Sequence, residues 1–342
     1  MSSVAAAANL SGEHLRTSAE PPSLWEFVQA SGLRSLVIGA SKDPNAKITV
    51  LLVPPAGGPP VLVAKVPTTD GAAAAVETER NALARLRRLP PELAATIPRV
   101  TDVVELDGRR GIVMTAVSGA SMTTSYMRWR HTAGHDRVAA HFDAAGAWLA
   151  DFQRATAVQP APLDMDGGVC ARLESRFQGE TGLRDSLAAL TAIHARLRRN
   201  EVPRTAVHGD LWFGNILLEG GRATGVVDWE GGEACGEPVR DLARFALMYA
   251  LFLDRRTRAG RRVAGHAGLR AGSFGAGVEY ALDGSGWFPT RFRQFLADGL
   301  ERLGASPASW RDVALAGLAE VAALTDHPDF ARHHLELFRR LT

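Results

Sequence analysis

The amino-acid sequence predicts an α+β fold with two lobes, a small mainly β lobe followed by a larger mainly α lobe. Runs of β-branched residues separated by turn residues fill the first third of the chain, and the remainder shows the apolar spacing of amphipathic helices. The 342 residues are 46% hydrophobic, which is enough to bury two cores that meet at a cleft. We expect a flexible arm over residues 1–22, the first lobe over 23–117 and the second over 118–342.

Composition and charge restrict the class of partner. The formal net charge is +2 and no run of lysines or arginines is long, so nucleic-acid binding is not predicted. Cys170 and Cys235 have neither metal-ligand spacing nor a disulfide framework, which is typical of a reducing cytoplasm. No stretch of ~18 apolar residues is present, and residues 1–12 lack the pattern of a secretion signal. We therefore expect a cytoplasmic protein that binds a small molecule and no membrane.

The first lobe begins with two predicted strands, residues 36–41 and 47–53, separated by a short turn. Gly39 and Ser41 lie at the end of the first strand. Backbone amides at Ser41 and its neighbours can approach phosphate oxygens, as backbone nests do. A plain hairpin is the alternative, because a glycine-rich consensus is absent.

A lysine and a glutamate in this lobe are predicted to pair. Only three of the 39 basic residues are lysines, and Lys65 lies in the β-branched run 61–66, where a solvated edge-strand lysine is the alternative. Residues 72–88 have helical apolar spacing, with Glu79 inside the apolar stripe and Glu77 on the polar face. An ionised carboxylate turned towards a core is costly unless a cation meets it, so we expect Glu79 to contact Lys65.

One more hairpin and five helices complete the predicted elements. Asp107-Gly108 separates two β-branched runs within residues 98–115, which is a strong hairpin signal. His131, His135 and His141 are predicted as surface residues rather than metal ligands, because no acidic motif accompanies them. Apolar periodicity predicts helices over residues 139–156, 183–200, 241–254, 289–303 and 310–324.

Residues 206–230, AVHGDLWFGNILLEGGRATGVVDWE, contain three polar groups at the spacing that phosphoryl transfer needs. Asp210 and Asn215 lie five residues apart, and a tight hairpin turning at Gly220-Gly221 brings Asp228 back beside Asn215. Oxygen ligands of this kind suit Mg²⁺, and Asp210 is left free to accept a proton. Each residue alone is typical of a turn or a strand end, but the three together predict a phosphoryl-transfer site.

This block resembles the signature of the aminoglycoside phosphotransferase and choline kinase family, small-molecule kinases with a protein-kinase-like fold. His208-Gly209-Asp210 followed by Asn215 matches the kinase catalytic-loop pattern, with glycine in the usual arginine place. Residues 236–243 are similar to the family segment that follows the metal aspartate. The resemblance implies Mg²⁺ and ATP or GTP as cofactors, and transfer of the terminal phosphoryl group to a hydroxyl of a sugar, amino sugar or natural product.

The resemblance also implies roles for individual residues. Asp210 would deprotonate the acceptor hydroxyl, with Asn215 and Asp228 on magnesium. The nucleotide would be bound by Lys65 with Glu79 behind it, and by backbone groups of Gly39, Ser41, Thr115 and Val117. His208 and Asp241 would support the catalytic loop, although Asp241 is equally well placed to cap the helix 241–254. Trp212 and Trp229 are either core or walls of an acceptor pocket, with Glu230 and Glu233 as acidic groups there.

The acceptor is the least determined part of the prediction. Residues 246–342 contain 13 arginines and 10 acidic residues, which argues mildly against a highly cationic substrate. Two alternatives to a small-molecule acceptor remain. One is a kinase that modifies serine or threonine in a peptide natural-product precursor with the help of a companion protein. The other is a catalytically silent nucleotide-binding scaffold, which the weak glycine loop favours.

Overall fold

The computed structural model describes residues 20–40 and 46–342, and its architecture is the predicted α+β arrangement. The strands are β1 (Arg34–Ala40), β2 (Lys47–Val53), β3 (Leu62–Pro67), β4 (Val100–Leu106), β5 (Arg109–Thr115), β6 (Ala120–Ser121), β7 (Pro160–Pro162), β8 (Glu201–Pro203), β9 (Thr205–Val207), β10 (Ile216–Glu219), β11 (Arg222–Val226) and β12 (Glu233–Gly236). The helices are α1 (Leu24–Ser31), α2 (Asp70–Arg85), α3 (Pro91–Ala94), α4 (Met122–Tyr126), α5 (His135–Thr156), α6 (Val169–Arg176), α7 (Leu183–Leu197), α8 (Val239–Leu251), α9 (Ala276–Asp283), α10 (Trp287–Arg302), α11 (Trp310–Leu324) and α12 (Pro328–Leu341).

The first lobe is built on a five-stranded antiparallel sheet in the order β1-β2-β3-β5-β4. The hairpin predicted at Asp107-Gly108 is present, with φ of 51° and 74° at these two residues. Positive φ at both central positions is what a two-residue turn with the right twist requires. Lys65 lies on the central strand β3, between its cross-strand partners Thr49 and Ile112.

The two faces of this sheet belong to different cores. Val113 of β5 packs in a small cluster with Leu24 of α1, whereas the adjacent Ile112 belongs to the large core that includes Val76 of α2. Successive residues of a strand point to opposite faces, and cross-strand partners share a face. Lys65, the partner of Ile112, therefore points towards α2 and the second lobe.

Helix α8 is the central element of the second lobe. Eleven of its 13 residues are buried, and it packs against α5, α9, α10 and α11. A helix that is apolar on nearly all sides belongs in the middle of a helical domain. Because α8 is enclosed in this way, polar residues in its first turns have fixed positions relative to the catalytic loop.

The predicted elements are largely confirmed. The five predicted helices correspond to α5, α7, α8, α10 and α11, with ends that agree within four residues. The helices α1, α3, α4, α6, α9 and α12 were not predicted. The prediction of surface histidines is wrong for His131 and His141, which are buried with rings stacked at 4.4 Å, and only His135 is exposed. Within the described ranges, no helix is both long and apolar enough to cross a membrane.

The predicted arm and the predicted phosphate loop lie only partly within the described residues. Residues 1–19 and Ser41 lie outside the described residues. The end of the predicted arm is already docked, since Glu105 N donates to Pro22 O at 2.9 Å.

Candidate active site

A catalytic loop and a hairpin bring the polar groups of residues 206–230 together. Asp210 and Asn215 lie between β9 and β10, and the turn between β10 and β11 has φ of 58° at Gly220 and 79° at Gly221. Val227 N donates to Asn215 O at 3.0 Å, so the next residue, Asp228, is beside the catalytic loop. The hairpin predicted from the glycine pair is therefore present.

Lys65 joins the two lobes through two carboxylates. Its Nζ lies 2.6 and 2.8 Å from the two oxygens of Glu79, and 2.7 Å from Asp228 Oδ1. Burial would lower the pKa of Lys65, but the charges of Glu79 and Asp228 outweigh burial and raise it well above its usual range. For Asp228, burial is likewise outweighed, and Lys65 and then Lys47 bring its pKa well below the usual range. Lys65 thus places one ammonium group between two carboxylates.

Glu79 also ties α2 to the segment after β11. Its side chain is 0% exposed, and Oε1 accepts a hydrogen bond from Trp229 N at 3.2 Å. An unpaired carboxylate at such a position would be very unfavourable, so the lysine and the amide together make the burial tolerable. Glu77, by contrast, is exposed and pairs with Arg80 on the helix surface, as its place on the polar face predicts.

Asp228 has an unusual backbone conformation, with φ of 71° and ψ of 61°. A left-handed conformation costs a non-glycine residue of the order of 1–3 kcal/mol, and it persists where the surroundings fix it. Here the fixed neighbour is Trp229, which is 1% exposed, packs on Phe152 and His208, and donates from Nε1 to Val226 O at 2.9 Å. Of the two predicted alternatives for Trp229, core or pocket wall, the structure shows a core residue.

The acidic residues predicted for an acceptor pocket each have a cationic partner. Glu230 forms an ion pair with Lys47, and Lys47 Nζ also lies 3.6 Å from Asp228 Oδ1. Glu230 therefore belongs to one group of charged residues, the lysine cluster, which consists of Lys47, Lys65, Glu79, Asp228 and Glu230. Burial, followed by the nearby charge of Asp228, raises the pKa of Glu230. Glu233 is exposed on β12 and pairs with Arg240. The predicted role of these two residues in an acceptor pocket stays a prediction.

The catalytic loop is fixed by Asp241 and His208. His208 N and Gly209 N donate to the two oxygens of Asp241 at 2.8 and 3.0 Å, and burial raises the pKa of this carboxyl. Helix α8 begins at Val239, so Asp241 supports the loop and is not the residue before the helix. The His208 ring accepts from Asp210 N at Nδ1 (3.2 Å), so its Nε2 donates to Val227 O (2.9 Å).

Gly209 occupies the place where the kinase pattern has arginine, and the structure gives the reason. Its φ is 82°, and a Cβ there would collide with the backbone oxygen of Gly231. The catalytic loop and the segment after Asp228 therefore approach as closely as they do because residue 209 has no side chain.

Asp210 forms an ion pair that the sequence analysis did not predict. Arg244 Nε lies 2.8 Å and its Nη2 lies 2.6 Å from Asp210 Oδ1. Asn215 Nδ2 donates to Asp210 O at 3.0 Å and approaches Asp210 Oδ2 at 3.4 Å, which leaves the Asn215 amide oxygen as the group that can bind a cation. Arg244 was missed by the sequence analysis, although it lies one helical turn after Asp241 and so on the same face of α8.

The predicted nucleotide-binding backbone groups differ in availability. Thr115 N donates to Arg99 O at 2.9 Å, so this amide is already used. The contact of Thr115 main-chain groups with adenine stays a prediction. Val117 is half-buried after β5, and its N–H donates to no other backbone group in the described ranges. Gly39 lies at a bulge of β1, where the register shifts after Val37.

Trp212 is the remaining predicted acceptor residue. It is half-buried, and its ring centroid lies 4.9 Å from that of Phe213 and 6.3 Å from that of Phe252. Because it follows Asp210 by two positions on the same loop, it links the predicted base to the region around Phe252.

A two-lobed fold with a lysine between two carboxylates, next to a loop that carries an aspartate and an asparagine, defines a phosphotransferase with protein-kinase-like architecture. Comparison with protein families agrees with this class. The phosphotransferase enzyme family matches residues 49–275, and the chain belongs to this family. The resemblance seen in the sequence is thereby confirmed, and the protein is an enzyme of the phosphotransferase class.

Solved structures with similar folds come from antibiotic phosphotransferases. The crystal structure of aminoglycoside phosphotransferase APH(4)-Ia has a TM-score of 0.57 and 14% identity, covering 93% of this chain and 98% of that one. A thermostable mutant of APH(4)-Ia in ternary complex with ADP and hygromycin B gives 0.55 and 15%, covering 93% and 98%. The streptomycin-ATP-APH(2")-IIa ternary complex gives 0.53 and 14%, covering 96% and 97%. No curated protein sequence matches the chain. Identities this low establish the fold and not the substrate.

Proposed function

We propose that the protein transfers the terminal phosphoryl group of ATP, in the presence of Mg²⁺, to a hydroxyl group of a sugar, amino sugar or other small natural product. The observation that supports this most directly is the position of Lys65 Nζ, 2.6 Å from Glu79 and 2.7 Å from Asp228. A lysine held by a buried glutamate presents its charge to nucleotide phosphates at a fixed place. ADP and ATP in two structures of similar fold support ATP as the donor.

Magnesium fits the donor atoms that face the cleft. Asn215 has its amide nitrogen engaged with Asp210, so its oxygen is the remaining ligand atom, and the Asp228 side chain is 33% exposed. Carboxylate and amide oxygens, completed by waters and phosphates, are the ligands that this ion prefers. When bound there, Mg²⁺ would neutralise charge on the phosphates. Lys65 would then share its charge between Glu79 and the nucleotide.

Asp210 is placed to receive the proton of the acceptor. In the transfer, the hydroxyl oxygen bonds to the terminal phosphorus, the bond between that phosphorus and the bridging oxygen breaks, and ADP leaves. The hydroxyl proton moves to a carboxylate oxygen of Asp210. Arg244 occupies Oδ1, so the acceptor would approach Oδ2 or displace the guanidinium.

The test is phosphoryl transfer from ATP labelled on the terminal phosphate, with Mg²⁺, to a panel of sugars, aminoglycosides, hydroxy acids and peptides. We expect a labelled small molecule with the wild type. Asp210→Asn should lower turnover on the order of 10² to 10⁴-fold, the range for loss of a general base, while binding of a non-hydrolysable ATP analogue is retained. Asp102→Asn, on an exposed position of β4, is the matched control and should keep full activity.

Two results would contradict the proposal. Turnover retained in Asp210→Asn would remove Asp210 from its role. Magnesium-dependent stabilisation by ATP without label on any member of the panel would favour a silent nucleotide-binding scaffold.

A further inference from the structure

A pocket rich in arginine lies beside the catalytic loop. This arginine pocket is lined by Arg128, Arg130, Arg255 and Arg256, together with Tyr126 and Phe252. Two of its aromatic residues contact the loop. The Tyr126 ring stacks on Phe213 at 4.2 Å, and the Phe252 ring centroid lies 5.8 Å from Phe213 and 6.3 Å from Trp212. The pocket thus packs against Trp212 and Phe213, which lie on the same loop as Asp210.

The segments that form the arginine pocket concentrate positive charge. Residues 120–137 and 252–272 contain nine arginines and two acidic residues, in a chain whose formal net charge is +2. No aspartate or glutamate is among the described residues that line the pocket. The nine arginines are Arg128, Arg130, Arg137, Arg255, Arg256, Arg258, Arg261, Arg262 and Arg270.

These nine arginines contrast with the arginines of the chain that pair with a carboxylate. Thirteen arginines elsewhere form ion pairs with aspartate or glutamate. Across residues 20–40 and 46–342, none of the nine does so. The two acids of these segments are used otherwise, since Asp136 contacts His135 and Asp254 accepts from Gly272 N.

Some of the unpaired guanidinium groups are positioned by aromatic rings. Arg255 lies over the Phe252 ring at 5.4 Å, and Arg130 lies over Trp129 at 5.8 Å. A guanidinium stacked in this way keeps its N–H edge available, and that edge matches a carboxylate or a phosphate in bidentate geometry. Arg244 adds one more cation at Asp210.

We propose that the acceptor is an anionic hydroxyl compound, whose carboxylate or phosphate group binds in the arginine pocket while a hydroxyl reaches Asp210. This inference rests on the proposed function and restricts its substrate class. Like charges that are close together repel, so a bound anion relieves the repulsion, whereas a polycationic amino sugar would increase it. This preference for an anionic acceptor agrees with the excess of arginine over acidic residues in residues 246–342.

The test compares acceptors that share one sugar ring and differ in charge, within the same labelled-ATP assay. Glucuronate and glucose 6-phosphate are the anionic probes, glucose is neutral and glucosamine is cationic, and the hydroxy acids of the wider panel are compared with their amides. We expect kcat/KM for the anionic compounds to exceed that for neutral ones roughly ten-fold or more, and the cationic compounds to be the poorest. The carboxylate and phosphate arms show which anion is preferred.

A matched pair of double variants locates the effect. Arg255→Gln with Arg256→Gln should remove most of the preference for anions and leave kcat/KM for glucose nearly unchanged. Arg261→Gln with Arg262→Gln removes the same charge from the same segment but outside the pocket lining, and should change the preference much less. All four side chains are exposed, so folding should be unaffected in both variants.

The outcomes separate this inference from the proposed function. Labelling of neutral or cationic acceptors in preference to anionic ones would overturn the anionic acceptor and leave the phosphotransferase proposal intact. Equal loss of preference in both double variants would show a diffuse charge effect and overturn the assignment to the pocket. Label on no acceptor, with nucleotide binding intact, would contradict the proposed function and this inference together.

Discussion

The two sides of the catalytic loop balance their charges in opposite ways. On the nucleotide side, Lys65 lies between Glu79 and Asp228, and Lys47 lies against Glu230 and Asp228, so every lysine in the cluster has a carboxylate partner. On the acceptor side, nine arginines flank a pocket without one such ion pair in the described residues. The nucleotide side therefore has both the cations and the carboxylates that pair with them. The pocket on the other side has cations only, and an anionic ligand would supply the negative charge.

The two sides also differ in what lies beneath them. The lysine cluster rests on a charged side chain, Glu79, which is fully buried. The arginine pocket is supported by neutral polar groups, because Tyr126 Oη donates to Tyr249 O at 2.9 Å and His141 contacts Ser125 and Tyr249 at 2.9 and 3.1 Å. Changes on the first side should therefore act mainly on nucleotide use, and changes beneath the second should act mainly on stability.

The largest expected effect on nucleotide use is at Glu79. Glu79→Gln leaves Lys65 with Asp228 as its only carboxylate, so the ammonium group is drawn to the ligand that magnesium needs. We expect kcat/KM for ATP to fall about 10²-fold or more, the scale for loss of one fixed electrostatic group in a phosphoryl-transfer site. Steady-state kinetics and the Kd of a non-hydrolysable ATP analogue measure it.

The control for Glu79 lies on the same helix. Glu77→Gln makes the same chemical change at an exposed position paired with Arg80, and should alter kcat/KM by less than about two-fold because surface pairs contribute little. Similar effects of the two substitutions would mean that the lysine cluster is not the nucleotide site.

A smaller effect is expected at Gly209, which joins the two sides through the loop that carries Asp210. Gly209→Ala places a Cβ against the backbone of Gly231 at a φ of 82°, so the loop must move away from the segment that contains Asp228. We expect turnover to fall roughly ten-fold, with a loss in the free energy of unfolding of about 1–3 kcal/mol.

Gly221→Ala is the control that separates the effect of backbone strain from the effect of moving the catalytic loop. Residue 221 has a similar φ of 79°, but a Cβ there meets no atom within 4 Å. Its substitution should cost about 1 kcal/mol of stability and leave turnover unchanged. If both alanine variants keep full turnover, the close approach of the two segments is not required for catalysis.

Local signals in the sequence were sufficient for most of the nucleotide side. Asp107-Gly108 and Gly220-Gly221 specify their own turns, and Glu79 in an apolar stripe demands a cation. Lys47 was missed as a site residue because its contact with Asp228 crosses between the lobes. In retrospect, cross-strand pairing of Thr49 with Lys65 places Lys47 on the same face as Lys65.

The acceptor side was harder to predict because its parts are distant in sequence. Residues 120–137 and 252–272 are far apart in sequence and meet only in the folded chain, where His266 Nε2 lies 2.8 Å from Thr132 O. An excess of arginine therefore indicated the sign of the charge but not its position. Trp229 illustrates the same limit, since adjacency to Asp228 gave no sign that its ring is enclosed by Phe152 and His208. A single sequence reports local turns and faces, whereas enclosure is a property of the assembled lobe.

The buried histidines under the arginine pocket should make stability sensitive to acid. Burial lowers the pKa of His141 to about 3, with a further contribution from His131. Burial, followed by the charges of Arg137 and Arg128, lowers the pKa of His131 to about 4. Both rings are therefore neutral in the folded state at pH values where the unfolded chain, with a pKa near 6.5, already takes up protons.

The free energy of unfolding should accordingly fall as the pH decreases below about 6.5, and the loss should continue until the folded-state pKa values are reached. His141 contributes roughly 1.4 kcal/mol per pH unit in this range, which is about 2 kcal/mol between pH 6.5 and about pH 5. In urea unfolding, His141→Gln should reduce the pH-dependent loss by about that amount, although the variant is less stable at neutral pH. The exposed His135→Gln should leave the pH dependence unchanged. An equal dependence of the free energy of unfolding on pH in wild type and His141→Gln would show that this ring is protonated in the folded state. The layer beneath the arginine pocket would then carry charge of its own.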